Sequence, residues 1–335
     1  MKINMKKKIA LIMSAGMCPQ VFSNKTLDRL REMGDVVLNY GSCSLEDTAA
    51  TIRGADIAVT SWGNTAIDKV LLDLAPELKL LAHAAGSVKP VVSDELFSRG
   101  IKVVSSAKPL GIGVAETALG FTISASKNFY NLSKHTASGG WNDDGYDKIR
   151  ELFDQTIGVV GAGWAGSHYI KLLQNFRVNV LLYDPFVTDE KALSMGAKKV
   201  DFETLLKQSD IVSIHAPSIP ETNHMFNKDT FSLMKKDAIL INTARGTIID
   251  ETALYEFMKA GNLKYACLDV TDPEPPAKEN PLRSLSNVIL TPHLAGLANN
   301  GKLSIGSHVA DEIENFLAGK PLTTEVTKEM LAKMA

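Results

Sequence analysis

The chain has 335 residues, 45% of them hydrophobic and 22% charged, with a formal net charge of −2. That length exceeds one ordinary hydrophobic core and predicts two domains. The near-neutral charge gives no electrostatic case for nucleic acid or an anionic membrane surface, and no apolar run approaches the roughly 20 residues of a membrane span. Cys18, Cys43 and Cys267 are far apart and form no CxxC pair, which argues against a zinc cluster or disulfide framework and for a reduced, cytoplasmic protein without a metal site.

Lys6, Lys7 and Lys8 precede the apolar segment at 9–13. This reads as an exposed lysine cluster entering a buried strand, because the apolar run is only about half a signal-peptide core. Strands are expected at 8–13, 36–40, 57–60, 80–83 and 102–104. Helical patterns separate them: 25–33, with Leu27, Leu30 and Met33 on one face, and 45–53, N-capped by Ser44 with Asp47 in its first turn. A long helical pattern at 114–129 interrupts the alternation, followed by the polar, glycine-rich 138–147. A second series of strands is expected at 157–160, 178–183, 211–214, 238–242, 265–269 and 288–290, and a last helix at 303–317. Alternating strands and helices imply parallel sheets covered on both faces, so the fold class is α/β with two doubly wound domains.

The most telling stretch is 156–184. An apolar strand runs into Gly161-Ala162-Gly163-Trp164-Ala165-Gly166. Helically spaced Ile170, Leu172 and Leu173 follow, and then a second apolar strand ending in Asp184. This is a dinucleotide-binding βαβ fingerprint in its full context. Gly161 permits the tight turn, Gly163 lets the backbone approach a pyrophosphate, and Gly166 lets the helix lie on the sheet. Asp184 can accept from adenine ribose hydroxyls and repels a 2′-phosphate, which selects NAD over NADP.

Three further segments fall near the carboxyl ends of expected strands, where doubly wound sheets bind ligands. Thr243-Ala244-Arg245-Gly246 presents a planar guanidinium at a glycine turn, suited to a carboxylate or carbonyl. Prolines flank Glu274, and His293 directly follows an apolar strand. An Arg, a Glu and a His beside a nicotinamide cofactor suit ketone reduction: Arg245 anchors the substrate, His293 gives a proton to the carbonyl oxygen, and Glu274 stabilises the imidazolium.

With these residues in view, the chain resembles the D-isomer-specific 2-hydroxyacid dehydrogenase family, which includes formate and phosphoglycerate dehydrogenases. Four blocks carry the resemblance across the second domain: GAGWAG with the later Tyr183-Asp184, Ser213-Ile214-His215-Ala216-Pro217, INTARGTIIDETAL at 241–254, and the DVTDPEPP to TPHLAG run at 269–296. It implies catalytic Arg245, Glu274 and His293. It further implies that Asp269 holds the nicotinamide amide, that His215, Ala216 and Pro217 pass the cofactor, and that Thr243, Ala244 and Gly296 border it.

The resemblance also implies a Rossmann cofactor domain, 109–297, inserted in a discontinuous flavodoxin-like substrate domain, 1–108 plus 298–335, with the active site in the cleft between them. The helix at 114–129 resembles the family's dimer-forming segment, so a homodimer is expected.

One loop departs from the family pattern. After the fourth strand the chain reads His83-Ala84-Ala85-Gly86-Ser87-Val88-Lys89-Pro90, with Lys89 and Pro90 where an Asp-Asn or Asp-His pair is usual. The amides of Gly86, Ser87 and Val88 are still expected to cradle a substrate carboxylate. His83 replaces the basic residue usual in phosphoglycerate dehydrogenases. A Glu-His pair has no evident use with formate. The reading is thus an NAD-dependent enzyme interconverting a 2-keto acid and a D-2-hydroxy acid. Its rival is an NAD(H)-responsive binding protein of the corepressor kind on the same fold, against which stands the expected lack of extra tails.

Overall fold

The computed structural model describes residues 6–141 and 149–334; part of the glycine-rich segment expected at 138–147 lies outside them. The chain divides into two compact units, Met1–Leu110 with Leu297–Ala335, and Gly111–Gly296.

In the first unit the strands are β1 (Lys8–Leu11), β2 (Asp35–Leu38), β3 (Ile57–Thr60), β4 (Leu80–His83) and β5 (Lys102–Ser105), in the order β2-β1-β3-β4-β5. Every neighbouring pair is parallel, which is the flavodoxin-like order. Alternate residues feed two cores. Ala10, Ala58, Leu81 and Val103 face one side. Ile9, Ile57, Val59 and Leu80 face the other, where Ile305, Val309 and Ile313 of the last helix, Asn299–Leu317, cover them. The end of the chain therefore completes the first unit. Ser44 caps the helix Leu45–Ile52, accepting from the Asp47 amide at 3.2 Å, which stabilises it by roughly 1 kcal/mol.

The second unit holds β6 (Thr156–Val160), β7 (Asn179–Tyr183), β8 (Lys198–Lys199), β9 (Ile211–Ile214), β10 (Ala238–Asn242), β11 (Leu263–Leu268) and β12 (Val288–Leu290). Their order is β12-β11-β10-β9-β6-β7-β8, again all parallel. Counted from β6 this is the Rossmann order with one strand added, and its switch point lies between β6 and β9. Two details depart from the sequence expectation. The short β8 has too few residues to show a period. The long helix spans Ala107–Ser126, starting earlier and ending sooner than 114–129, because Pro109 is tolerated in a first turn and Gly111 is used for contact. A Cβ at Gly111 would stand 3.0 Å from the Ala165 amide nitrogen, so a residue that weakens helices locally lets this helix lie on the fingerprint helix Trp164–Leu173.

Candidate functional site

The strand registers align Tyr183, Val160, Ile214, Asn242, Leu268 and Leu290 across β7, β6, β9, β10, β11 and β12. The next residue of each strand therefore lies in one row along the carboxyl edge: Asp184, Gly161, His215, Thr243, Asp269 and Thr291. Segments far apart in sequence thus bring the fingerprint, the His215 turn and the approaches to Arg245 and His293 to one edge of the second unit.

The left half of this row fits a dinucleotide. Gly161 has φ +90°, and a Cβ there would stand 2.8 Å from the Ala216 amide nitrogen; at Gly166 it would stand 2.0 Å from the Gly161 oxygen. At Gly163, by contrast, a Cβ would meet nothing within 4 Å, so the N-cap of the fingerprint helix is open on its outer side, and no side chain caps that end. An anion can take that place, since helix N-termini leave amides unsatisfied and carry partial positive charge. Asp184 accepts from Ala162 N and Phe186 N, both at 2.8 Å. Each carboxylate oxygen keeps a second lone pair for a ribose hydroxyl. Ala165 lies in the helix's first turn beside Trp164.

At the end of β10, the fully buried Asn242 shapes the turn: its Oδ1 accepts from Ala244 N at 3.0 Å and its Nδ2 donates to the Arg245 carbonyl at 2.8 Å. Arg245 leaves this turn, and its Nη1 donates to the Ala244 oxygen at 2.6 Å. Burial lowers the guanidinium from its usual 12.5, with Glu274 opposing that change. Gly246 is held tight: a Cβ would meet the Thr271 carbonyl at 2.1 Å, so only glycine lets this turn touch the loop that carries Glu274.

Glu274 and His293 form a hydrogen-bonded pair. His293 Nδ1 lies 2.7 Å from Glu274 Oε2, and the Thr271 amide donates to Glu274 Oε1 at 3.2 Å. A carboxylate only accepts, so Nδ1 carries the hydrogen and Nε2 is left to exchange a proton. The pair is 43% and 37% exposed. His293 has φ +50°, a backbone conformation costing about 1–2 kcal/mol for a residue with a Cβ. Its amide is held by the Asp269 carbonyl at 2.8 Å and the Thr291 carbonyl at 3.0 Å.

Asp269 supplies the rest of that restraint. Its side chain is 1% exposed and accepts from Thr291 Oγ1 at 2.5 Å, Leu294 N at 3.0 Å and Ala295 N at 2.8 Å. The resemblance implied a contact with the nicotinamide amide. Asp269 restrains the loop that presents His293, and its three accepted hydrogen bonds leave a lone pair on Oδ2 for such a contact. Gly296 ends this loop with φ +81°.

The substrate-binding residues expected in the first unit sit at the end of β4. The Gly86 carbonyl accepts from Ser105 Oγ at 2.6 Å. Val88 is fully buried and belongs to the core, so only its backbone is offered to a ligand. His83 is 3% exposed, its Nδ1 lies 2.9 Å from Thr60 Oγ1, and it hydrogen-bonds to the Ser87 backbone. Burial drops its pKa from 6.5 to about 4, so the ring is neutral near pH 7.

Sequence reasoning passed over Asn242, Thr291 and Glu251. Glu251 accepts from Asp272 N at 2.8 Å and from Asn280 Nδ2 at 2.9 Å, bracing the turn before Glu274. Asn242 and Glu251 belong to the INTARGTIIDETAL block, which was the available signal. Among the described residues no cluster of three metal-ligating side chains occurs, and no helix is long and apolar enough to cross a membrane.

Comparison with known proteins agrees with this geometry. The model of the D-isomer specific 2-hydroxyacid dehydrogenase NAD binding domain matches residues 119–295. D-3-phosphoglycerate dehydrogenase of Methanocaldococcus jannaschii is 35% identical over 292 residues, covering 87% of this chain and 55% of that protein. The chain thus spans about half the length of the phosphoglycerate dehydrogenases it matches. Glyoxylate reductase of Thermococcus litoralis is 33% identical, with 84% of this chain and 86% of that one covered. A solved D-2-hydroxyisocaproate dehydrogenase superposes with a TM-score of 0.81 at 25% identity, covering 96% and 99% of the two chains. The chain belongs to the D-isomer-specific 2-hydroxyacid dehydrogenase family, and its second unit is the family's NAD-binding domain.

Proposed function

We propose that the protein is an NAD-dependent oxidoreductase that interconverts a 2-keto acid and a D-2-hydroxy acid. The observation that carries this reading is the His293–Glu274 pair at 2.7 Å, on the carboxyl edge of an NAD-binding sheet and joined to the Arg245 turn through Gly246. When bound, NADH supplies a hydride to the carbonyl carbon. His293 Nε2 gives the matching proton to the carbonyl oxygen, and Glu274 stabilises the imidazolium before transfer and keeps its hydrogen bond with Nδ1–H of the neutral ring after it. Arg245 fixes the substrate's carboxylate and carbonyl with its planar fork of donors. In the first unit, the backbone of Gly86, Ser87 and Val88 is the segment we assign to substrate binding.

An unphosphorylated side chain on the keto acid is favoured, because the buried, neutral His83 offers no cation where phosphoglycerate enzymes keep a basic residue. We further read the protein as a cytoplasmic homodimer. Its three free cysteines support a reducing compartment, and the exposed Ile112 and Phe129 on or next to the helix Ala107–Ser126 support a self-associating face. The test is a panel of 2-keto acids with NADH and NADPH, run on wild type and Asp184→Ala, with the oligomer measured by sedimentation. Reduction with NADH that NADPH cannot match supports the reading. Equal efficiency with both cofactors refutes the role of Asp184, and no turnover across the panel refutes the activity.

A further inference from the structure

The loop that follows β4 is held by its carbonyls. Ser106 Oγ donates to the His83 carbonyl at 2.9 Å, and Ser61 Oγ donates to the Ala84 carbonyl at 2.9 Å. The Ser106 amide donates to the Ala85 carbonyl at 3.0 Å, and Ser105 Oγ donates to the Gly86 carbonyl at 2.6 Å. Successive carbonyls from His83 to Gly86 are thus tied to serines at or just beyond the ends of β3 and β5. All three serines are buried, none of them more than 4% exposed. A hydroxyl has a single hydrogen and a carbonyl only accepts, so each side chain spends its hydrogen on the loop. Ser105 Oγ also accepts from the Ala107 amide at 3.1 Å. The serines therefore reach a ligand only through the backbone that they hold.

A trans peptide is planar, so the C=O of one residue and the N–H of the next point in opposite directions. The plane joining Ala85 to Gly86 has its carbonyl turned to Ser106, so the Gly86 N–H points away from the serines. The plane joining Gly86 to Ser87 has its carbonyl turned to Ser105, so the Ser87 N–H does the same. Both residues are partly exposed, and the Gly86 amide donates to no group among the described residues. Two neighbouring amides aimed the same way form a nest suited to a carboxylate. Without the serine hydroxyls these peptide planes would be free to rotate, because water serves a partly exposed carbonyl in many orientations.

We infer that Ser61, Ser105 and Ser106 are positioning residues for the substrate's carboxylate: by holding the carbonyls of residues 83–86 they aim the amides of Gly86 and Ser87 at the ligand. The inference rests on the assignment of this loop to substrate binding, and its test separates the two. The KM for a 2-keto acid is compared with that for the neutral 1,2-diketone carrying the same R group, and NADH affinity is followed by fluorescence. In parallel, the nitrogen-15 amide signals of Gly86 and Ser87 are followed during an acetate titration, which reads carboxylate capture without turnover. Ser105→Ala should raise the keto-acid KM about fivefold, the usual worth of one hydrogen bond. Its kcat, diketone KM and NADH Kd should stay within about twofold of wild type, the pattern of lost uniform binding. Ser105→Cys fills similar space but donates weakly, so it should repeat the rise and tie it to the hydrogen bond. Ser106→Ala should act in the same direction, with Ser106→Cys in its place if the alanine variant does not fold. A keto-acid KM within about twofold of wild type at both positions overturns the inference. So does an equal rise for acid and diketone, which is what a merely structural role gives. If wild type reduced no keto acid, the substrate reading would fail and the acetate titration would still decide. Gly86 and Ser87 signals that move in wild type, with an acetate Kd about fivefold weaker in Ser105→Ala, uphold the positioning role; signals that acetate leaves in place overturn it.

Discussion

Asp269→Asn should separate the chemistry of His293 from cofactor binding. In wild type the carboxylate accepts three hydrogen bonds from Thr291, Leu294 and Ala295 while 1% exposed. An asparagine has one carbonyl oxygen, and its NH₂ group would face at least one of the amide donors. Hydrogen bonds to a charged acceptor are worth about 1.5–3 kcal/mol each, so losing one or two costs the loop roughly 2–5 kcal/mol. The same loop holds His293 at φ +50°, a conformation that relaxes once the restraint weakens. At about 1.4 kcal/mol per factor of ten, kcat should fall by roughly 30-fold or more even if only the lower figure reaches the transition state. Steady-state kinetics at saturating NADH, with NADH affinity measured separately by fluorescence, checks this. The expected pattern is a low kcat with an NADH Kd within a few-fold of wild type. A variant that keeps its kcat while NADH affinity collapses would refute the clamp and make the nicotinamide contact the main role of Asp269.

His293→Asn should lower kcat by on the order of 10²–10⁴, the worth of a positioned acid–base group. Glu274→Gln should slow wild type but add little in the His293→Asn background, because the carboxylate acts through the ring; additive losses in rapid kinetics would contradict that coupling. Arg245→Lys should lower kcat/KM by about 10–100-fold through loss of the planar fork, with NADH binding unchanged, and a near-normal KM for the keto acid would remove Arg245 from the site. The first unit should be acid-labile through His83. Its folded pKa of about 4 lies below the ordinary 6.5, so the unfolded chain binds the extra proton. The stabilisation is complete above pH 6.5 and is lost as pH falls towards 4, by about 1.4 kcal/mol per pH unit. Urea unfolding near neutral pH and near pH 5 should show His83→Asn with a shallower pH dependence than wild type, and identical slopes would refute a buried neutral His83.

Much of the cofactor half was legible in the residue order because its signals are local. A strand, a glycine turn and a helix follow one another without a break, and the positive φ of Gly161 and the approach of Gly166 to the Gly161 carbonyl are set within a few residues. Ser44 is a comparable case, its hydroxyl serving an amide three residues on. Arg245, Glu274 and His293 could be named because each sits in a motif with its own turn chemistry, yet nothing in those motifs says that Glu274 and His293 meet.

Tertiary structure decided the rest, wherever a residue's partner lies far along the chain. The row from Asp184 to Thr291 exists only because six strands pair in register. Asp269 reads in sequence as a strand-end acid like Asp184; which donors reach it depends on how β11 and β12 align. Gly111 argues locally against a helix, and only its contact with Ala165 shows why the helix runs through it. Glu312, 1% exposed in the last helix, would read as a surface charge, but its carboxylate accepts from Thr323 N at 3.0 Å in the segment that follows that helix. Backbone propensity and turn chemistry act over a few residues and are written in the sequence; burial and hydrogen-bond satisfaction are properties of the packed chain, fixed only once distant segments are brought side by side.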